Sequence, residues 1–190
     1  KENEDKGYTA QIASYHGRLG NMYYNHNYPD ADWQTVIHDL RFRQALSLAI
    51  DRENILDTIF FGFGVLPKEI GDGEYSVEKA NALLDELGLE VRNSEWFRLY
   101  PSGNPVQFFL SGSTRVPENG PIAEMLVPML EEVGIDASFK IEDYNLWVQK
   151  LNANEVQGFV ERMETYWWMA DAKFQYWAPM WNAYEVGGEI

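Results

Sequence analysis

The stretch DLRFRQALSLAIDRENI, Asp39 to Ile55, holds two helix starts in close succession. Asp39 carries the short acceptor side chain that caps helix N-termini, and Leu40 through Leu46 all tolerate helical backbone. Ala45, Leu46, Ala49 and Ile50 recur at the spacing that turns one stripe of a helix toward a core. Asp51 is a second cap of the same kind. Ile55, Leu56, Ile59 and Phe60 repeat the stripe over Arg52 to Phe61, before Gly62 and Gly64 end it. This pattern predicts a packed helical pair inside an α/β domain and carries no information about a ligand.

Working outward, Tyr8 to Ser14 and Leu19 to Asn25 read as two strands around a His16-Gly17-Arg18 turn. A connection rich in glycine follows from Gly62 to Gly73. Ser76 then caps a helix that places Ala80, Leu83, Leu84 and Leu87 on one face and stops at Gly88. The next unit decides the fold class. Val106 to Leu110 is a short apolar strand, Pro121 suits a helix start, and Ile122, Leu126, Met129, Leu130 and Val133 form a stripe ended by Gly134. Ile135, Ala137, Phe139 and Ile141 then alternate with polar residues. A strand, a helix of this length and a second strand make a β-α-β crossover, whose strands lie parallel. Asp143 caps a further helix through Leu146, Trp147, Val148 and Leu151, and Gly158 to Met163 returns as a strand. The expected architecture is α/β, a mixed sheet with packed helices, as a single unit over residues 1–190.

Composition limits the function. The 190 residues include 45% hydrophobic and 24% charged side chains, as a folded globule requires. The formal net charge is -15, with 30 acidic residues against 15 basic ones, which opposes binding to nucleic acid or to an anionic membrane surface. Cysteine is absent, so disulfides, thiolate nucleophiles and thiolate metal sites are excluded together. No run approaches the ~18 apolar residues of a membrane span. Lys1 opens a polar segment unlike a signal peptide, and the chain is expected to be a piece of a longer protein.

Catalytic patterns are not evident. His16, His26 and His38 lack metalloprotease spacing, no nucleophile elbow is present, and no glycine motif suits phosphate. Glu131-Glu132 and Asp85-Glu86 fall on the exposed faces of amphipathic helices, where they read as solvated charges. The dense feature is aromatic. Tyr166 to Tyr184 holds eight aromatic residues in nineteen positions, with Asp171 among them. Phe174, Trp177, Trp181 and Tyr184 have helical spacing that suits packing, though Pro179 interrupts it. Tyr166, Trp167, Trp168 and Asp171 do not fit such a stripe. Aromatic faces with one carboxylate suit a cleft for a peptide or a sugar.

The order of residues adds a resemblance. Asp39, Arg41, Arg43, Gln44, Ala45, Ala49, Ile50, Asp51 and Arg52 fall where the family 5 substrate-binding proteins of ABC importers carry D-x-R-x-R-Q-A-x-x-x-A-I-D-R. YSVEKANALLDELG, from Tyr75, also resembles a helix of that family, with Ser76 and Asn81 as departures. The resemblance implies one lobe of a periplasmic-binding-protein-like receptor (type II, large cluster), the first lobe not being evident. Such receptors are extracellular or periplasmic, sometimes anchored as lipoproteins. They are monomers that enclose a peptide, oligosaccharide or nickel complex between two lobes and deliver it to ABC permease subunits. They use no cofactor and catalyse no reaction.

Trp168-Met169-Ala170-Asp171 resembles the W-x-A-D of oligopeptide receptors. The resemblance implies that Asp171 pairs with the ligand's α-ammonium beside Trp168, with Trp167 and Tyr166 lining the same wall. The chain departs from the pattern at Ala172-Lys173-Phe174, where the family commonly continues Tyr-Pro-Asp-Pro. Its tail, WAPMWNAYEVGG, resembles the sugar-binding branch more closely. Oligopeptide is therefore the first expectation, oligosaccharide the second, and a glycan-active enzyme the rival from another class.

Overall fold

The computed structural model describes residues 17–64, 66 and 74–164. The predicted strand Tyr8 to Ser14 lies outside them. Strand β1 spans Gly17–Tyr24 and takes in Gly17 and Arg18, which the sequence pattern put in a turn. These two residues pair with Glu164 and Met163 of the last strand, β4 (Gly158–Glu164), so the partner of β1 comes from the far end of the described chain.

A helix that the hydrophobic pattern did not predict follows, α1 (Ala31–Ile37), capped by Asp30, whose Oδ1 accepts the Trp33 N–H at 2.8 Å. The helical pair forms as its caps dictate. In α2 (Leu40–Leu48) Asp39 accepts from the Arg41 N–H, and in α3 (Arg52–Phe60) Asp51 accepts from the Asn54 N–H. Phe61 at φ 53° and Gly62 at φ 72° turn the chain left-handed, ending α3 one residue earlier than its apolar spacing predicts. The stripes also differ in depth. Phe42, Ala45 and Leu46 of α2 are buried, whereas α3 leans on the core only through partly buried residues such as Ile55, Ile59 and Phe60.

The arginines of this stretch act on the scaffold. Arg43 donates to the Ile37 carbonyl at the end of α1, and Arg52 donates to the Ser47 carbonyl and hydroxyl at the end of α2. Arg43 thus supplies a donor to a helix-end oxygen of α1, and Arg52 adds one to the Ser47 carbonyl, which also accepts the Ile50 N–H.

Helix α4 (Val77–Glu86), capped by Ser76, packs on α2 through the buried Ala80 and Leu84. The predicted crossover is present. Strand β2 (Gln107–Ser113), helix α5 (Asn119–Glu132) and strand β3 (Asp136–Glu142) follow in turn, with β2 and β3 parallel in register from Gln107↔Asp136 to Ser113↔Glu142. Helix α6 (Tyr144–Asn152) then leads to β4, which inserts between β1 and β2. The order β1-β4-β2-β3 makes the sheet mixed, since β4 runs parallel to β2 and antiparallel to β1.

Strand alternation divides the core between the two faces of this sheet. Phe108, Leu110 and Val160 face one cluster, where Trp33 stacks on Phe108 at 5.2 Å and meets Phe42 edge-on at 5.8 Å. The indole N–H of Trp33 reaches the Asn25 carbonyl, so this fully buried ring leaves no donor unpaired. Phe159, one residue from Val160, faces a smaller cluster with Trp147 and Val156. β4 can cross Phe108 only because residue 158 is glycine: a Cβ there would overlap the Phe108 ring and the Tyr23 carbonyl.

One acidic residue is more engaged than its helical position suggests. Arg98 is 1% exposed and donates to the Val133 and Leu89 carbonyls, to the Asn81 side chain and to Asp85. Asp85, predicted as a solvated charge, is thus the outer partner of a buried guanidinium that joins α4 to the end of α5.

Candidate functional site

Because β2, β3 and β4 are parallel, their carboxyl ends at Ser113, Glu142 and Glu164 lie along one edge. In open α/β sheets this edge faces ligand, because the loops that leave it carry no burden of strand pairing. Several polar side chains of the described residues meet there. On the α6 face of the sheet Trp147 donates through Nε1 to Ser111 Oγ at 3.0 Å, and the Ser113 hydroxyl lies 3.5 Å from Glu161 Oε2. Glu142 is 5% exposed and accepts from Lys150 at 2.6 Å and Lys140 at 3.0 Å. Those hydrogen bonds, Lys150 first, hold its carboxyl below the ordinary value of 4.5 against the opposing effect of burial.

Two loops complete the edge. Thr114 to Glu118 joins β2 to α5, and its Thr114 N–H donates to the Glu142 carbonyl. Arg115 of this loop donates through Nη1 to the Tyr144 hydroxyl at 3.0 Å, with its guanidinium carbon 5.0 Å from the ring centroid. At the root of α5, Asn119 is fully buried and donates to the Ser113 carbonyl, while its own Oδ1 has no partner among the described residues.

The amino ends of the strands frame a different feature, an open acidic hollow of about 500 Å3 beside Asp30, Asp32, Asp136, Tyr100 and Phe109. Its carboxylates serve local structure. Asp30 caps α1, Asp32 accepts from Ser102 and Asn104, and Asp136 accepts from Gln107. The carboxyl edge is the stronger candidate, having loops, two helix starts and a cation, Arg115, with no carboxylate partner among the described residues.

The residues that the sequence singles out, Tyr166, Trp167, Trp168 and Asp171, lie outside the described residues, as do Phe174, Trp177, Trp181 and Tyr184. β4 carries the chain to Glu164 at the carboxyl edge, shortly before them in sequence. Sequence reasoning missed Arg115 and Tyr144, because they are far apart in the chain and meet only through the parallel register of β2 and β3. Among the described residues no group of three side chains could hold a metal ion, and no helix is long and apolar enough to cross a membrane.

The mixed sheet with its packed helices matches a lobe of the family 5 periplasmic binding proteins. The chain belongs to the bacterial extracellular solute-binding proteins, family 5, whose middle-region model matches residues 1–185. The oligopeptide-binding protein AppA of Bacillus subtilis (strain 168) is 27% identical over 131 residues, which is 62% of this chain and 24% of that protein. The chain thus spans about a quarter of that relative's length. The solved oligopeptide-binding protein OppA superposes with a TM-score of 0.73 at 24% identity, covering 83% of this chain and 27% of that one. A mannohexaose-bound periplasmic oligopeptide-binding protein of an ABC transporter from Thermotoga maritima gives a TM-score of 0.62 at 24% identity, covering 78% and 30%.

Proposed function

We propose that this chain is one lobe of a larger extracellular receptor, with the first lobe absent, that captures an oligopeptide between its two lobes and delivers it to an ABC permease. The observation that carries this reading is the family match over nearly the whole chain, together with a relative named for binding oligopeptides. Ligand touching both lobes shifts the receptor from open to closed, and the permease recognises the closed form. The receptor acts as a monomer, at the cell surface as a lipoprotein or free in the periplasm, and carries out no reaction.

In this reading Asp171 pairs with the ligand's α-ammonium, while Trp168, Trp167 and Tyr166 cover the adjoining side chains. A charge-assisted bond in a closed cleft is strong, and a ligand lacking the ammonium leaves the carboxylate unpaired. Calorimetry on the intact receptor with short peptides tests it. Asp171→Asn should weaken binding roughly tenfold or more without changing the melting temperature. Unchanged affinity sinks the assignment of Asp171 and moves oligosaccharide ahead. That second reading has its own support in the aromatic density of Tyr166 to Tyr184 and in the mannohexaose bound by a structural neighbour.

A further inference from the structure

We infer that the acidic hollow at the amino ends of the strands is a second binding site, one that takes a small aliphatic diamine or polyamine. It lies at the opposite end of the sheet from the carboxyl edge and stands independently of the solute captured there.

The hollow, about 500 Å3 in volume, carries three carboxylates that no cation neutralises. Asp30 Oδ1 accepts the Trp33 N–H, Asp32 Oδ2 accepts Ser102 and Asn104, and Asp136 Oδ2 accepts Gln107 Nε2 at 2.8 Å, so every donor is neutral. The other oxygen of each acid has no partner among the described residues, and no lysine or arginine described there pairs with any of the three. A neutral donor fixes a carboxylate in place without cancelling its charge. Local structure thus uses one oxygen of each acid and leaves three negative charges around one open space.

A buried hydroxyl points to what fills the space. Tyr100 is 5% exposed and lines the hollow, yet its hydroxyl has no hydrogen-bond partner among the described residues. Burial first, then Asp30 and Asp32, raise its pKa, which keeps the phenol neutral beside those two acids. A neutral phenol accepts a hydrogen bond from an ammonium that the two carboxylates attract. Asp136 belongs to a different element, at the start of β3, whereas Asp30 and Asp32 stand at the start of α1. Among the described residues no three acidic or histidine side chains converge as a metal ion requires. Charges spread in this way suit an extended cation with an ammonium at each end better than one compact ion. Phe109, an exposed ring, and Tyr28 line the same hollow and offer apolar surface to methylene groups and ring faces to the charges.

The test uses the full-length receptor, its Asp136→Asn and Tyr100→Phe variants, and Glu124→Gln as a control that removes one exposed charge on α5. Asparagine keeps an acceptor for Gln107 and phenylalanine keeps the buried ring, and melting temperatures without ligand check that both variants fold. Isothermal titration at low salt compares spermidine, 1,4-diaminobutane, n-butylamine, magnesium chloride and trilysine. The two polyamines should bind the parent roughly tenfold or more tightly than n-butylamine, because the second ammonium binds as a tethered group. Asp136→Asn should remove most of that advantage, Tyr100→Phe should weaken all three amines, and Glu124→Gln should change none of them. Affinities that survive both hollow variants, or that fall equally in Glu124→Gln, would place the amines elsewhere on an acidic surface and overturn the inference. Binding of no amine overturns it too. Tighter binding of magnesium would replace it with a metal site, and binding of trilysine alone with a protein-docking surface. None of these results bears on the solute captured at the carboxyl edge.

Discussion

The indole N–H of Trp147 on α6 donates to the hydroxyl of Ser111 on β2 at 3.0 Å, inside the smaller of the two cores. The ring also meets Phe159 edge-on at 5.5 Å, so one side chain pins α6 to both β2 and β4. Ser111→Ala strands a buried donor and should cost about 1–3 kcal/mol. Trp147→Ala removes the ring and should cost about 3–5 kcal/mol. Urea denaturation measures both, and equal losses would mean that the hydrogen bond dominates the packing.

Gly158→Ala places a methyl group against the Phe108 ring and the Tyr23 carbonyl. The expected cost is about 1–3 kcal/mol, because the overlap forces a ring out of its rotamer or shifts β4. The same substitution in a Phe108→Leu background should cost less, and the difference in a double-mutant cycle isolates the clash. Additive losses would show that the ring is not what the methyl meets.

The Arg98–Asp85 pair should respond unequally to loss of its two members. Arg98→Ala leaves the Val133 and Leu89 carbonyls without their donor and empties a buried site, with an expected loss of about 3 kcal/mol or more. Asp85 is 54% exposed, and Arg98 keeps its carbonyl partners without it, so Asp85→Ala should cost well under half as much. Comparable losses would assign the stability to the ion pair instead of the carbonyl bonds.

Acid should weaken the fold in two separate windows. Burial first, then Arg43 and His38, lower the affinity of His26 for a proton below its ordinary value of 6.5. The unfolded chain therefore binds that proton more readily, and stability falls as pH drops through 6.5 toward the folded value. Glu142, also depressed, contributes stability that is present above 4.5 and lost as pH falls through its lower folded value. Melting temperatures across this range check the assignments: His26→Gln should flatten only the upper window and Glu142→Gln only the lower one.

The helical pair and the crossover were legible because their signals are local. Asp39, Asp51, Ser76 and Asp143 are short acceptors placed ahead of apolar stripes, and each caps the helix it announces. The same stretch reveals the family, yet its arginines close helix ends in the scaffold. A sequence can therefore mark a receptor lobe through residues that hold the lobe together. Helix α1 escaped notice because its 7 residues make only about two turns, and the buried Trp33, Val36 and Ile37 leave too little period to read.

Cap chemistry, apolar period and residue order by themselves determined helices α2 through α6, the α/β class, the parallel pairing of β2 with β3 and the family. Only the tertiary structure decided that β4 lies between β1 and β2, that Asp85 belongs to a buried arginine, and that Arg115 meets Tyr144 at the carboxyl edge of the sheet. The division has a physical cause. Hydrogen-bond caps and helical stripes act within a few residues, whereas strand order and loop encounters are set by the summed packing of segments distant in the chain, which no short window of sequence records.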